Sequence, residues 1–264
     1  MISQKEFEAH YKTISDDIIS KVSIDAYLSS LFLKNFKRYK TLVWVIIDYS
    51  KNKNESIKNI CDFGCGKPFI IYILNHFDFD IVGYEPYQDN KNIECSNLLG
   101  ISSLIKQKLP NTKFDLIIMN EVIEHLSIIK HTFKEINSIS NEDAHVCVCT
   151  PNVLGIESWM KFLLRKTGHP QPLNHYLNSD DNYTHHTREF TMKELILTLK
   201  FYGFKSLKYH KCINTLPTQN EINELALSQG KKSRKKSKLY YFYKIAKFIF
   251  PQQLNNNLFV IAKK

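Results

Sequence analysis

No apolar run in this sequence approaches the roughly 18 residues that a membrane-spanning helix needs. The strongest, TLVWVII (41–47), is far too short, and the N-terminal MISQKEFEAH is too polar for a secretory signal peptide. The six cysteines form no Cys-x-x-Cys pair, which argues against a zinc or redox motif of that kind. These absences predict a cytosolic protein whose cysteines are buried free thiols.

The net positive charge of the chain is not spread over its whole length. The formal net charge is +10, yet residues 225–264 contain ten Lys or Arg and no acidic residue, which leaves the rest of the chain neutral. A neutral main body argues against a nucleic-acid binder over its whole face, so we expect nucleic acid not to be a partner. The basic stretch GKKSRKKSK (230–238) has the composition of a polar linker.

Apolar periodicity predicts alternating helices and strands. The first 55 residues have helical spacing, and apolar strand patterns follow at IKNICDF, FDIVGYE, 101–105, FDLIIMN, AHVCVCTPN, FKSLKYH and NLFVIAKK. Helices are predicted near 68–77 and 89–99, over EVIEHLSIIKHTFKEINSI (121–139) and over TMKELILTLKFYG (191–203). This order predicts an α/β fold, a Rossmann-like, mostly parallel sheet with helices on both faces.

The same patterns predict a domain organisation. A helical segment, 1–55, precedes a core made of 56–210 and 256–264. Within the core, 153–187 is longer than an ordinary connection, which predicts a lid or an acceptor-binding insert. A second insert, 211–255, is basic and aromatic.

Glycine is scarce, with eight in 264 residues, and two of the eight stand one residue apart in NICDFGCGKPFI (59–70). They follow a predicted strand, at the carboxyl end where α/β sheets bind ligands. Gly64 permits a tight turn, and Gly66 lets the backbone approach a ligand without a Cβ in the way. A structural turn alone is the other interpretation of this pair.

Glu85 ends the next predicted strand, 19 residues after Gly66. A carboxylate there can accept hydrogen bonds from both hydroxyls of a ribose, which suits a dinucleotide or another nucleoside. The dinucleotide fingerprint has a third glycine where this chain has Phe69. Asp62, two residues before the first glycine, is placed to receive an ammonium group.

Five elements in order, DFGCG, VGYEP, FDLIIMNEVIEHL, CTPN and REFTMKELILTLKFYGF, resemble the class I S-adenosylmethionine-dependent methyltransferases. Within that class they are similar to the ubiquinone-pathway and small-molecule O-methyltransferases, over about residues 57–210. The resemblance implies a seven-stranded sheet whose last strand is antiparallel, a place that NLFVIAKK can fill. S-adenosylmethionine is the implied cofactor.

The resemblance also implies residue roles. Asp62 and the backbone of Gly64, Cys65 and Gly66 would hold the methionine end of the cofactor, and Glu85 would bind the ribose. Asn120 would lie beside the methionine moiety, with Glu121 just behind it. The chain departs from the family at Pro68, where a third small residue is usual, and in 101–110, which offers no acidic residue for the adenine; Tyr87 is an alternative adenine contact.

Methyl transfer from a sulfonium needs alignment and removal of the acceptor's proton, and in principle no metal. His125 is the first candidate base, because its ordinary pKa lies near neutrality. His185 and His186, at the end of the 153–187 insert, are the runners-up, and we expect Arg188 and Glu189 to pin this insert to the core. The insert also holds His169, His175, Asp180, Asp181 and Tyr183, but their spacing matches no metal-ligand pattern, so no metal site is predicted.

These features predict methyl transfer to an oxygen of a small or carbohydrate-like acceptor, such as a surface-polysaccharide or lipid-linked precursor. Residues 231–250, with the amphipathic LYYFYKIAKFIF (239–250), predict contact with an anionic membrane surface, so we expect a cytoplasmic or membrane-peripheral protein. Packing of that segment on the acceptor side is the other interpretation. The alternative functions are an RNA-modifying methyltransferase and a catalytically silent binding protein of the same fold.

Overall fold

Two long helices occupy the N-terminal region of the computed structural model, which describes residues 2–52, 57–155, 186–213 and 255–264. Helix α1 spans Gln4–Val22, and helix α2 spans Ala26–Ile47, followed by a π-helical turn over Asp48–Asn52. Ser3 begins α1 with a capping box, in which its hydroxyl accepts from the backbone N–H of Glu6 and the Glu6 carboxylate accepts from the backbone N–H of Ser3. The predicted N-terminal helical region is confirmed.

Three short strands and two helices follow the N-terminal region. Strand β1 spans Asn59–Phe63, α3 Phe69–Asn75, β2 Asp80–Tyr84, α4 Asn90–Leu98 and β3 Ile105–Lys106. Aromatic contacts join the N-terminal helices to this part, since the ring centroids of Phe32 and Phe69 lie 5.1 Å apart. The described residues up to Ile117 form one compact unit.

The second compact unit comprises the described residues from Ile118 onward. Strand β4 spans Phe114–Asn120, of which residues 114–117 belong to the first unit and 118–120 to the second. The second unit also contains α5 Ile129–Ile139, β5 Ser140–Pro151, α6 Met192–Phe201, β6 Ser206–Ile213 and β7 Asn257–Lys263. Thr191 begins α6 as the sequence predicts, because its hydroxyl accepts from the backbone N–H of Glu194.

The seven strands of the described residues form one sheet in the order β3-β2-β1-β4-β5-β7-β6. Strands β1, β2 and β3 pair in parallel. Strand β7 pairs antiparallel with β5 on one side and with β6 on the other. The predicted α/β class, the seven-stranded Rossmann-like sheet and its antiparallel last strand are therefore confirmed.

The predicted helix over 121–139 is wrong in its first half. Glu121 has a φ of 57°, which ends any regular structure there, and a 3-10 turn over Ile123–His125 follows. Helix α5 begins only at Ile129, so His125 lies in the connecting turn and not on the helix. The apolar residues of this turn are spaced as in a helix, although Ile123 is the one among them that is buried, and this spacing explains the error.

Parts of the predicted inserts lie outside the described residues. Of the 153–187 insert the structure describes 153–155 and 186–187, and of 211–255 it describes 211–213 and Asn255. The membrane-contact segment 231–250, with the amphipathic 239–250, and residues His169, His175, Asp180, Asp181, Tyr183 and His185 are all outside them. No helix of the described residues is long and apolar enough to cross a membrane.

Candidate cofactor and acceptor sites

The glycine pair forms a tight turn at the carboxyl end of β1. Gly64 has a φ of 73° and Gly66 a φ of 50°, both in the left-handed region that favours glycine. The backbone N–H of Gly64 donates to the carbonyl oxygen of Tyr84 at 2.8 Å, and that of Gly66 donates to Oε2 of Glu85, also at 2.8 Å. The turn is thus fastened to the end of the neighbouring strand β2.

Asp62 lies just before this turn and is 2% exposed. Burial, and to a lesser extent the nearby negative charge of Glu85, raise the pKa of Asp62 to about 7. A buried carboxylate is costly in an apolar interior, and a bound ammonium group would supply its counter-charge.

The Glu85 carboxylate, directly after β2, accepts two backbone hydrogen bonds and can accept more. Its Oε2 accepts from Gly66, and its Oε1 accepts from the backbone N–H of Tyr87 at 3.1 Å. Burial raises the pKa of Glu85, although the two backbone donors act in the opposite direction. Each carboxylate oxygen has a second lone pair, so the group can still accept from the hydroxyls of a ribose.

Gly83 is a residue of this region that sequence reasoning missed. It pairs with Asp62 across the β1–β2 ladder. A Cβ at Gly83 would lie 2.4 Å from Cδ1 of Ile71 and 2.8 Å from Sγ of Cys65, so a larger residue would require these side chains to shift. Cys65 of the glycine turn therefore packs against the β2 backbone, and the sequence signal for this contact is the glycine of VGYEP.

The glycine turn is also tied to helix α4. Nζ of Lys67 lies 3.0 Å from Oδ2 of Asp89, and Asp89 caps α4 by accepting from the backbone N–H of Asn92. Pro68 directly precedes α3 and does not lie inside it, so this departure from the family pattern starts a short helix in which residues 69–74 are buried. Burial raises the pKa of the Cys65 thiol well above its ordinary value, which keeps it neutral. The side chain of Tyr87, the alternative adenine contact, is 59% exposed.

The turn after β4 carries the candidate residues of the second unit. Oδ1 of Asn120 is buried and has no hydrogen-bond partner among the residues that the structure describes, so it is available to a ligand donor. Glu121 adopts its positive φ while its backbone N–H donates to the carbonyl oxygen of Cys149 at 2.8 Å. The Asn257 side chain, at the start of β7, donates to Oε1 of Glu121 at 3.0 Å. A strained backbone held by several contacts is typical of functional turns.

Glu124 organises the rest of this turn. Its side chain is fully buried, and its Oε2 accepts from the Thr150 hydroxyl at 2.8 Å. Its backbone carbonyl accepts from the N–H groups of Thr187 at 2.6 Å and Arg188 at 3.1 Å. These hydrogen bonds join two segments that lie more than 60 residues apart in the sequence. One segment contains His125 and the other contains His186.

His125 and His186 lie side by side, with ring centroids 4.9 Å apart. Nδ1 of His186 lies 2.9 Å from Oε1 of Glu189, whose side chain is 8% exposed. This contact fixes the ring and leaves Nε2 of His186 as the acceptor, which is the arrangement of an oriented general base. Nε2 of His125 is 3.9 Å from Oε1 of Glu124, longer than a hydrogen bond.

The side chains around the histidine pair could also bind a metal ion. Ligand atoms of Glu124, His125 and His186 all lie within 4.8 Å of one another, so the three could hold a divalent cation. Sequence reasoning proposed no metal here, because the ligands come from two distant segments. It also missed Glu189 as the partner of His186. Arg188 forms an ion pair of 2.7 Å with Glu194.

A family model described as a methyltransferase domain matches residues 34–209, about two thirds of the chain. The chain therefore belongs to this family of methyltransferases. Its class is that of the class I S-adenosylmethionine-dependent methyltransferases, and S-adenosylmethionine is the cofactor of that class. No curated protein matches the chain in sequence.

Solved structures agree with this fold at low sequence identity. The plantazolicin methyltransferase BpumL, solved with a triazolic desmethylPZN analogue and SAH, is 15% identical with a TM-score of 0.53, over 96% of this chain and 98% of that one. The plantazolicin methyltransferase BamL is 12% identical with a TM-score of 0.51, over 98% and 99%. A possible histamine N-methyltransferase from Thermotoga maritima is 14% identical with a TM-score of 0.50, over 93% and 98%.

Proposed function

We propose that this methyltransferase transfers the methyl group of S-adenosylmethionine to an oxygen of a small or carbohydrate-like acceptor. The buried carboxyl group of Asp62, which lies beside a glycine turn, is the observation that carries the cofactor part of this proposal. A cationic, amino-acid-bearing nucleoside is the ligand whose chemistry suits these groups.

The residues of the first unit would bind the cofactor. Asp62 would accept from its ammonium group, the turn of Gly64, Cys65 and Gly66 would approach it with backbone alone, and Glu85 would accept from the ribose hydroxyls. When bound, S-adenosylmethionine supplies an activated methyl group on a positively charged sulfur. In the second unit, Asn120 would offer its carbonyl Oδ1 to a donor of the methionine moiety, and Asn257 would hold Glu121 behind it.

The acceptor's proton would go to a histidine. Nε2 of His186 accepts the proton, and Glu189, 2.9 Å from Nδ1, stabilises the resulting imidazolium. His125 packs against the same ring and is the second candidate. If Glu124, His125 and His186 hold a divalent cation instead, that cation would lower the pKa of a bound hydroxyl.

The first test is calorimetric titration of the purified protein with S-adenosylmethionine and, separately, with NAD. We expect micromolar binding of the first and none of the second. Binding of NAD alone would contradict the proposal. Binding of S-adenosylmethionine without transfer to any hydroxyl acceptor in a broad screen would favour a catalytically silent binding protein.

Glu85 gives the first mutational prediction. We expect Glu85→Ala to weaken S-adenosylmethionine binding about 10- to 100-fold, because charged hydrogen bonds to both the ribose and Gly66 are lost. Calorimetry measures the affinity, and circular dichroism checks that the fold is intact. Asp80→Ala is the matched control, since Asp80 is an exposed acid at the opposite end of β2. Equal affinities of Glu85→Ala and the native protein would remove the ribose assignment.

A further inference from the structure

A groove with a volume of about 630 Å³ lies in the second unit, between the turn after β4 and helix α6. Apolar and aromatic side chains form slightly more than half of its lining, and they include Ile123, Leu126, Ile129, Phe190, Leu197 and Phe201. Its volume is in the range of small-molecule sites, which hold a ligand in a concave and mostly apolar surface. Nothing in the proposed cofactor chemistry uses this groove.

The groove is continuous with the two segments that carry the histidine pair. Ile123 and Leu126 flank Glu124 and His125 in the turn after β4, and Thr187 directly follows His186. The hydrogen bond from the Thr187 N–H to the Glu124 carbonyl joins these two walls. A molecule in the groove therefore lies against the same backbone that positions the candidate base.

Two aromatic rings stack beneath the groove, and the charged side chains at its rim are paired. The rings of Tyr202 and Phe133, on α5, stack with centroids 4.4 Å apart and planes 5° apart. At the rim, the Arg188 guanidinium is paired with Glu194 at 2.7 Å and lies 5.7 Å from the centroid of the Phe190 ring. Since the rim cation already has a partner, the groove suits an uncharged group better than an anion.

Large apolar side chains are exposed around this groove. Phe201 is 82% exposed, Ile128 68% and Leu197 56%. Among the described residues of the second unit, only Leu154 adds another large apolar side chain of this kind. Apolar surface concentrated around a concave site marks a place where an apolar group binds.

We propose that this groove binds the apolar part of the methyl acceptor, an uncharged alkyl chain or aromatic ring that anchors the acceptor while its polar end reaches the histidine pair. The inference rests on the proposed function, and it narrows the acceptors to those that carry such an apolar part. A lipid-linked or aryl-linked saccharide has this chemistry, whereas a free sugar lacks it.

The test uses N-phenyl-1-naphthylamine, a neutral apolar molecule whose fluorescence rises in an apolar site. It is titrated into the native protein, the double variant Leu197→Gln, Phe201→Gln, and the control variant Ile24→Gln. Ile24 is 78% exposed in the first unit, so it matches the substitution without touching the groove. We expect binding at least about tenfold weaker in the double variant and unchanged in the control.

Calorimetry with S-adenosylmethionine is run on the same proteins, and sedimentation velocity reports their oligomeric state. Unchanged cofactor affinity in the double variant, with probe binding lost, supports the acceptor assignment. Equal probe affinity in native and double-variant proteins, or no probe binding at all, overturns it. A native dimer that the double variant dissociates would assign the groove to a second copy of the chain and also overturn it. Failure of the native protein to bind S-adenosylmethionine would instead contradict the proposed function, whatever the probe shows.

Discussion

We expect Asp62→Asn to lower the affinity for S-adenosylmethionine about 100-fold, which is the size of a lost hydrogen bond between charged groups. The substitution keeps the shape of the side chain and removes only its charge. Without cofactor, the variant should be at least as stable as the native protein, because a carboxyl group that is 2% exposed no longer ionises in an apolar interior. Calorimetry measures the first effect, and thermal unfolding the second.

The pH dependence of binding provides an independent measure of the same group. Because the pKa of Asp62 is raised to about 7, the native carboxyl group must lose a proton before it can pair with an ammonium below that pH. Native affinity should therefore fall by about tenfold per pH unit below 7 and level off above it. Asp62→Asn should lack this slope, and a slope that survives the substitution would assign it to another group.

The stability without cofactor should vary with pH in the opposite direction. The folded-state pKa of Asp62 lies above its ordinary value of 3.8, so between about 4 and 7 the folded protein binds more protons than the unfolded chain. In this window Asp62 ionises in the unfolded chain and stays protonated in the folded protein, so the free energy of unfolding falls as the pH rises. The difference in Tm between Asp62→Asn and native protein should grow over the same window, with Asp80→Asn as the exposed control.

We expect His186→Ala to lower kcat for methyl transfer about 100- to 10,000-fold, the usual contribution of a general base. Its affinity for S-adenosylmethionine should be unchanged, because the residue acts on the acceptor's proton. Glu189→Gln should give a smaller loss, since the neutral amide can still contact the ring but cannot stabilise its positive charge. Rates are measured on a hydroxyl acceptor obtained from screening.

The controls separate the roles within the cluster. His210→Ala changes an exposed histidine of β6 and should leave kcat intact. A native kcat in His186→Ala, with the loss found in His125→Ala, would transfer the role of base to His125. A native enzyme that loses activity in EDTA and regains it with an added divalent cation would show that Glu124, His125 and His186 act as metal ligands.

The sequence predicted the fold and the first-unit residues because their signals are local. The glycine pair requires a turn after an apolar strand, and the spacing to Glu85 reflects one intervening helix. Strand β4 was predicted with the observed bounds, since its buried residues 116–119 form a continuous apolar run. The helix predicted over 121–139 failed because a positive φ at Glu121 leaves no trace in an apolar pattern.

The remaining site contacts could not be predicted, because they join distant segments. Asn257 and Glu121 are 136 residues apart, and nothing near either residue indicates the other. Glu189 lies close to His186, yet its contact depends on the backbone pairing of residues 187 and 188 with Glu124. The assigned roles of Asp62, Glu85, Asn120, His125 and His186 stay predictions until the variants are measured.

The position of β7 has a consequence for synthesis on the ribosome. Strand β7 lies between β5 and β6, although both of those strands are made before it. Until residues 257–263 emerge, β5 has an apolar edge without its native partner, and such edges pair readily with other chains. The same late segment brings Asn257 to Glu121. The pairing of the β5 edge and the last contact of the turn after β4 therefore form at the same step.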